Sequence, residues 1–347
     1  MNFLLGRFFK DTITEDERRP SGVLLPQHWI QNQMSYQRRG PRLMRRMSSL
    51  VELEAAKKYE TSFFTQLRLL IERSMKQQRG ERVTVASFIV TILYIFFTVC
   101  FWWMLPNDTS RIYERQSLFF FILISQANSA INANFATASR ERHLIKRERS
   151  KKMYSTLPFF MAKTISEMTN TAIFPVIYVG VIYWSSNLRP GFDHFMIYLL
   201  SFYLCLISVQ SLGVLLSVLI SNIRIALLVA PVINIFLMIL GGFYMPFDKI
   251  PPIIRWCSWL SAARYGYTAL VINEFVGLNI PCAAEGNVHL KLEDIAGICP
   301  LPGELVVQNV GVSGIWMNVW VNIGMLCSMH VLLRILAYYF LRRSLIL

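Results

Sequence analysis

Six stretches of this chain stay apolar for close to the 20 or so residues that an α-helix needs to cross a bilayer, and few soluble architectures accommodate such runs. They fall at about 83–105, 116–138, 157–184, 194–219, 224–245 and 316–340. Ser166, Glu167 and Asn170 interrupt the third, and Ser208, Gln210 and Ser211 the fourth. Across 347 residues, 54% of side chains are apolar, above the share in ordinary soluble domains. The expected fold class is therefore an all-α membrane protein with six transmembrane helices.

The net charge of +14 is not spread evenly. Basic residues concentrate in the first 82 positions and between Arg140 and Lys152, both next to apolar runs, which favours a membrane surface over nucleic acid as their partner. The opposite connections carry few cations: Arg111 and Arg115 in one, Arg189 in another. Lys and Arg accumulate on the cytosolic side of short loops, so both termini are expected in the cytosol, with Arg342 and Arg343 anchoring the last span.

This orientation places the sequon Asn107-Asp108-Thr109 outside, where Asn107 is a glycosylation candidate. It also places Cys282 and Cys299 in an outside loop where a disulfide persists, with Cys257 as a competing partner. Cys100, Cys205 and Cys327 lie within spans and read as packing residues.

The opening MNFLLGRFFK is too short an apolar run for a signal peptide. Residues 1–58 read as a cytosolic linker broken by Pro20, Pro26, Gly40 and Pro41. From Tyr59 to Arg82, Phe63, Phe64, Leu67, Leu70 and Ile71 alternate with charges at helical spacing, predicting a helix that lies in the interface before the first span. The chain shows no GxxxxGK[ST] loop, no HExxH and no zinc spacing. His28, His143, His194, His289 and His330 are scattered, and no intramembrane acid and base pair stands out, which makes a membrane enzyme the weakest reading.

Polar residues within the spans carry the remaining signal. Ser125, Asn128 or Ser129, and Asn132 follow one helical face, which suits either a substrate path or hydrogen bonding between helices. Pro231 and the pair Gly241-Gly242 predict a kink or hinge, after which Phe243 and Tyr244 either close a pore or pack at the interface. The connection SRERHLIKRERSKKMYS holds Glu141 and Glu148 among its cations, which suggests an ionic docking surface beyond simple anchoring. The segment from Pro246 to Leu278 is too interrupted to cross a bilayer and too apolar to leave it. It reads as a re-entrant helical hairpin with Trp256, Trp259, Tyr265 and Tyr267 at headgroup depth, and with Arg264 and Glu274 partnered inside protein. A small extracellular loop then precedes the last span, so that 246–315 is re-entrant and extracellular.

The run RYGYTAL followed by NEFVGLN, Arg264 to Asn279, closely resembles the signature before the last span in the G subfamily of ATP-binding cassette transporters, the white/breast-cancer-resistance type of half transporter, whose membrane domain is of ABC-2 type. YETSFFTQLRLLIERS resembles that family's connecting helix, and ERSKKMYSTLPFFMAKTISEM its second-to-third loop and third span. The resemblance runs in order from Tyr59 to Arg343.

It implies a dimeric exporter in the plasma membrane or an endomembrane, driven by ATP and Mg on a cytosolic nucleotide-binding domain, with an identical or different second half. The family's coupling glutamate falls on Glu148, flanked by Arg147 and Arg149. Its substrate cavity falls on Ser125, Asn128, Asn132, Asn234, Ile235 and Met238, its plug on Phe243 and Tyr244, and its re-entrant signature on Arg264, Tyr265, Gly266 and Glu274. Asn128 and Asn234 replace aromatics of the multidrug member, the plug is aromatic instead of a leucine pair, and that member's intersubunit cysteine has no clear counterpart. Met1 to Arg19 resembles the segment just after the nucleotide-binding domain, which is then expected either in cis in a longer polypeptide or in trans. The main expectation is an exporter of amphipathic small molecules or lipids. The alternative is a truncated, non-transporting paralogue that regulates a full half transporter.

Overall fold

The computed structural model describes residues 62–82, 84–150, 153–220, 222–281 and 300–344; the side chains of 79, 81–82, 134–146, 149–150 and 223–224 lie outside that description. The described residues belong to one compact unit, Thr61–Leu347. Cys282, Cys299 and the linker 1–58 lie outside the described residues.

The chain is helical in the order α1 Phe63–Arg82, α2 Val85–Phe101, α3 Ile112–Ser150, α4 Thr156–Ser185, α5 Phe192–Leu219, α6 Ile223–Ile239, α7 Ala262–Phe275, α8 Gly303–Asn309 and α9 Val319–Ser344. Between α6 and α7 run a single helical turn, Pro252–Arg255, and a 3-10 segment, Trp256–Leu260. Between α7 and α8, Asn279–Ile280 pairs antiparallel with Leu301–Pro302, Ile280 opposite Leu301.

Among the described residues, three helices are long and apolar enough to cross a membrane: Thr156–Ser185, Phe192–Leu219 and Val319–Arg343. Val85–Phe101 and Ile225–Ile239 are apolar but shorter. The second expected span occupies the first part of α3. At 39 residues, that helix is about 58 Å long, far more than a bilayer core. The fifth expected span stops at Ile239 and not at 245, because Gly242 turns into the left-handed region at φ 97°. A Cβ there would meet the Phe247 ring at 2.6 Å, so only glycine fits the turn.

Helix α5 is the axle of the unit. It packs against α3, α4, α7 and α9, and Tyr198, Phe202, Cys205, Leu206, Ile207 and Val209 are all buried. Such an all-round apolar helix is stable only inside others. α2 and α9 instead turn Phe88, Ile92, Phe96, Val331 and Ile335 outward, as helices bathed by acyl chains do. α7 is held at its start by Ser261, whose hydroxyl accepts from Arg264 N–H at 3.3 Å as an N-cap and donates to the Leu237 carbonyl of α6 at 2.7 Å. Tyr265 and Tyr267 are buried, because successive residues of α7 face α5 and α9 as well as α6.

Candidate functional site

Glu148 sits near the end of α3, beyond its apolar stretch, and α1 comes back to meet it. Arg73 of α1 donates from Nη1 to Oε2 at 3.1 Å and from Nη2 to Oε1 at 2.7 Å, a fork on a fork. Tyr154, in the turn before α4, donates to Oε2 at 2.7 Å. Burial opposes the charge of Glu148, but the hydrogen bonds from Arg73 and Tyr154, with the charges of Arg73 and Arg147, outweigh it and hold the carboxyl below its ordinary range. Gln66 on α1 accepts from Ser155 N–H at 3.2 Å, so α1 also caps the start of α4. The carboxylate thus ties three segments at one end of the helices. Arg147 is exposed, and the side chain of Arg149 lies outside the description.

The polar face of α3 meets α6 through one amide pair, Asn234 Nδ2 donating to Asn128 Oδ1 at 2.9 Å. Asn234 and Met238 are buried within this chain, whereas Asn132 and Ile235 are exposed and Ser125 is half-buried. Ser125 also donates to the Ile122 carbonyl at 3.1 Å. Past the Gly242 turn, Phe243 stacks on Phe120 of α3 at 4.7 Å between ring centroids, and Tyr244 meets the same ring edge-on at 5.0 Å. Tyr113 stacks on Phe243 at 5.6 Å.

At the other end of the helices Glu274 of α7 is buried. It is paired to Arg115 of α3 and accepts from the Arg189 backbone N–H at 3.1 Å. Arg115 also donates to the carbonyls of Leu105 and Asn187, each at 3.0 Å, closing the loops after α2 and α4 onto the same point. Arg115 is therefore an interior helix residue and not a loop cation. Arg264 lies over the rings of Phe247 and Trp259 at 4.3 and 4.5 Å and donates to Ser258 Oγ at 2.7 Å. Gly266 abuts Cys205 of α5, where a Cβ would approach the sulfur to 2.6 Å. Asn107 is exposed in the loop after α2, while Thr109 of its sequon is buried, its N–H donating to the Pro281 carbonyl at 3.1 Å.

One group escaped sequence reasoning. Glu167 of α4 and Arg334 of α9 form an ion pair at 3.0 Å with both side chains almost fully buried, and Lys163 stands 3.8 Å from the same carboxylate. Arg334 Nε donates to Ser211 Oγ on α5 at 3.0 Å, and the same hydroxyl meets His330 Nδ1 at 2.9 Å. No intramembrane acid and base pair stands out in the sequence, yet the fold brings this one together. The partners stand 167 residues apart, a separation no local pattern records. The available signal was Glu167 itself, a carboxylate inside an apolar run.

A family model described as "ABC-2 type transporter" matches residues 65–275. The chain is 28% identical over 284 residues to the ABC transporter G family member 14 of Arabidopsis thaliana, covering 82% of this chain and 41% of that protein. It is 27% identical over 283 residues to the broad substrate specificity ATP-binding cassette transporter ABCG2 of Sus scrofa, covering 80% and 42%. With the ABC transporter ATP-binding protein/permease wht-1 of Caenorhabditis elegans it shares 26% over 283 residues, 81% and 41%. The chain spans about two fifths of the length of these relatives.

Proposed function

The chain belongs to the ABC-2 type transporter family, and from that premise we propose that it is the transmembrane subunit of an ATP-driven exporter of amphipathic small molecules or lipids. It works as a dimer, with ATP and Mg held by a nucleotide-binding domain in cis or in trans. Its relatives are G-family transporters, one of them named for broad substrate specificity. Six spans are proposed, α2 and the first part of α3 joining α4, α5, α6 and α9, with both termini cytosolic and Pro252–Phe275 re-entrant.

The observation that carries the reading is the clamp on Glu148. A nucleotide-binding domain pressing on the end of α3 would move α1, α3 and the start of α4 together, because one carboxylate accepts from Arg73 and Tyr154 at once. α3 would transmit that movement to α6 through Asn128 and Asn234. Ser125, Asn128, Asn132 and Ile235 then face the substrate path, Asn234 and Met238 back it from within the chain, and Phe243 with Tyr244 stops its outer end. A path lined by amides favours substrates with hydrogen-bonding groups over flat, purely aromatic ones.

The test is ATP-dependent uptake of a fluorescent amphipath into inside-out vesicles containing the complete polypeptide and its nucleotide-binding domain. Uptake that stops without ATP supports the reading. ATP hydrolysis by a correctly inserted dimer with no uptake across a panel of amphipaths would overturn it.

A further inference from the structure

At the end of the helices remote from Arg342 and Arg343, the α4–α5 loop, the end of α7 and the start of α9 surround an open cavity of about 880 Å³. Arg189, His194, Asn273 and Asn318 supply its polar lining, and Ile315 and Trp320 belong to its apolar wall.

The polar groups are held in place and leave donors over. Arg189 Nη1 donates to the carbonyls of Val276 at 2.7 Å and Asn273 at 3.4 Å, terminating α7. The His194 ring is oriented by Asn273, Nδ1 meeting Oδ1 at 3.2 Å while Asn273 Nδ2 donates to the His194 carbonyl at 3.0 Å. Asn318 Oδ1 accepts from Trp320 N–H at 2.9 Å at the start of α9. Among the described residues, Arg189 Nη2 and Asn318 Nδ2 take no hydrogen bond, so two donors remain for an acceptor from outside the chain, while His194, whose Nδ1 donates to Asn273 Oδ1, serves to orient Asn273.

Charge points the same way. Arg189 is the charged side chain on the cavity lining, and the buried carboxylate behind it, Glu274, is already paired with Arg115. The starts of α5 and α9 add partial positive charge. Asp193, on the first turn of α5, and Glu304, which accepts from Gly277 N–H, are the nearby opposing charges, and neither lines the cavity. Ile315 and Trp320 are 76% and 61% exposed. Surplus donors and positive charge beside exposed apolar side chains at the level where Trp collects match a lipid, with its phosphate on one side and its chain on the other.

We propose that this cavity binds a phospholipid of net negative headgroup from the leaflet it faces, with Arg189 and Asn318 on the phosphate and Ile315 and Trp320 against the acyl chain. The proposal rests on the membrane-spanning reading and not on transport, so binding measured without ATP separates the two.

The complete polypeptide, purified from membranes, is titrated with phosphatidylglycerol or phosphatidylcholine, and bound lipid is counted by native mass spectrometry. The wild type should retain phosphatidylglycerol about tenfold more tightly, the scale of one charge-assisted contact. Arg189→Gln should lose that preference. Ile315→Glu, an exposed rim change that repels the phosphate without disturbing the interior, should lose it too, while Ile315→Gln should keep it. Equal retention of the two lipids by the wild type would overturn the proposal, as would an unchanged preference in Ile315→Glu. Competition by free glycerol phosphate as strong as by the lipid would overturn it as well, since the site would then read a soluble phosphate.

Discussion

Arg73 and Glu148 stand 75 residues apart and meet in a two-pronged ion pair, with Arg73 half-exposed and Glu148 largely covered. The pair lies where α1, α3 and the approach to α4 converge, so its geometry joins the surface helix to the longest helix of the unit.

Replacing Glu148 with Ala removes the acceptor for both Arg73 and Tyr154. Transport in inside-out vesicles should fall steeply while surface expression stays close to wild type. A double-mutant cycle with Arg73→Ala, read by thermal unfolding in detergent, should show a coupling of only about 1 kcal/mol, because half the pair is open to solvent. Unchanged transport in Glu148→Ala would remove the coupling role.

Acidification should loosen the same contact. A carboxyl whose folded pKa lies below its unfolded one stabilises fully above the unfolded value, near 4.3 for glutamate, and loses that contribution as pH falls through the depressed folded value. Protection factors of α1 amides, corrected for the intrinsic slowing of exchange in acid, should therefore fall below about pH 4 in the wild type, and Glu148→Gln should flatten the dependence. An identical pH profile in Glu148→Gln would refute the assignment.

Glu167→Ala leaves Arg334 buried with an uncompensated charge and should destabilise by about 3–5 kcal/mol. The apolar pair Glu167→Met with Arg334→Met should recover most of the loss, since removing both charges also removes their desolvation cost. Thermal unfolding of the three proteins decides it; a double variant as unstable as the single one would mean that Lys163 and His330 need those charges for their own placement.

Glu274→Ala should act at the opposite end. Arg115 would lose its carboxylate while still directed at the carbonyls of Leu105 and Asn187, and the loops after α2 and α4 would lose their common anchor. Surface expression should drop, and limited proteolysis should cut first near Leu105 or Asn187. Glu274→Gln, which keeps acceptor and shape, should be the milder change.

Gly266→Ala drives a methyl against the Cys205 sulfur at 2.6 Å and its Cβ at 2.8 Å, which should cost about 1–3 kcal/mol. Cys205→Ala in the same protein should relieve only part of the loss, because the second contact remains. Cys205→Gly should relieve more. Equal melting temperatures for all four proteins would show that α5 and α7 are free to move apart.

Much of the architecture was legible in the amino-acid order. Apolar length marked α4, α5 and α9, the spacing of Phe63, Phe64, Leu67 and Leu70 marked α1, and Gly241-Gly242 marked the break after α6. These properties are local, since hydropathy, helical period and backbone freedom belong to neighbouring residues. The polar face of α3 was legible as a face. Which of its members turn outward, and that Asn128 takes Asn234 as partner, were not.

Only the tertiary structure decided the pairings. Arg115 with Glu274, Arg73 with Glu148 and Arg334 with Glu167 join residues 159, 75 and 167 positions apart. Hydropathy shows that a charge in an apolar helix must find a partner, because leaving it alone in low dielectric is so costly. It cannot say which partner, because α5 is apolar on every face and its neighbours could be arranged about it in several orders with similar apolar burial. The order observed is one in which the buried carboxylates Glu167 and Glu274, and the partly covered Glu148, each meet a guanidinium.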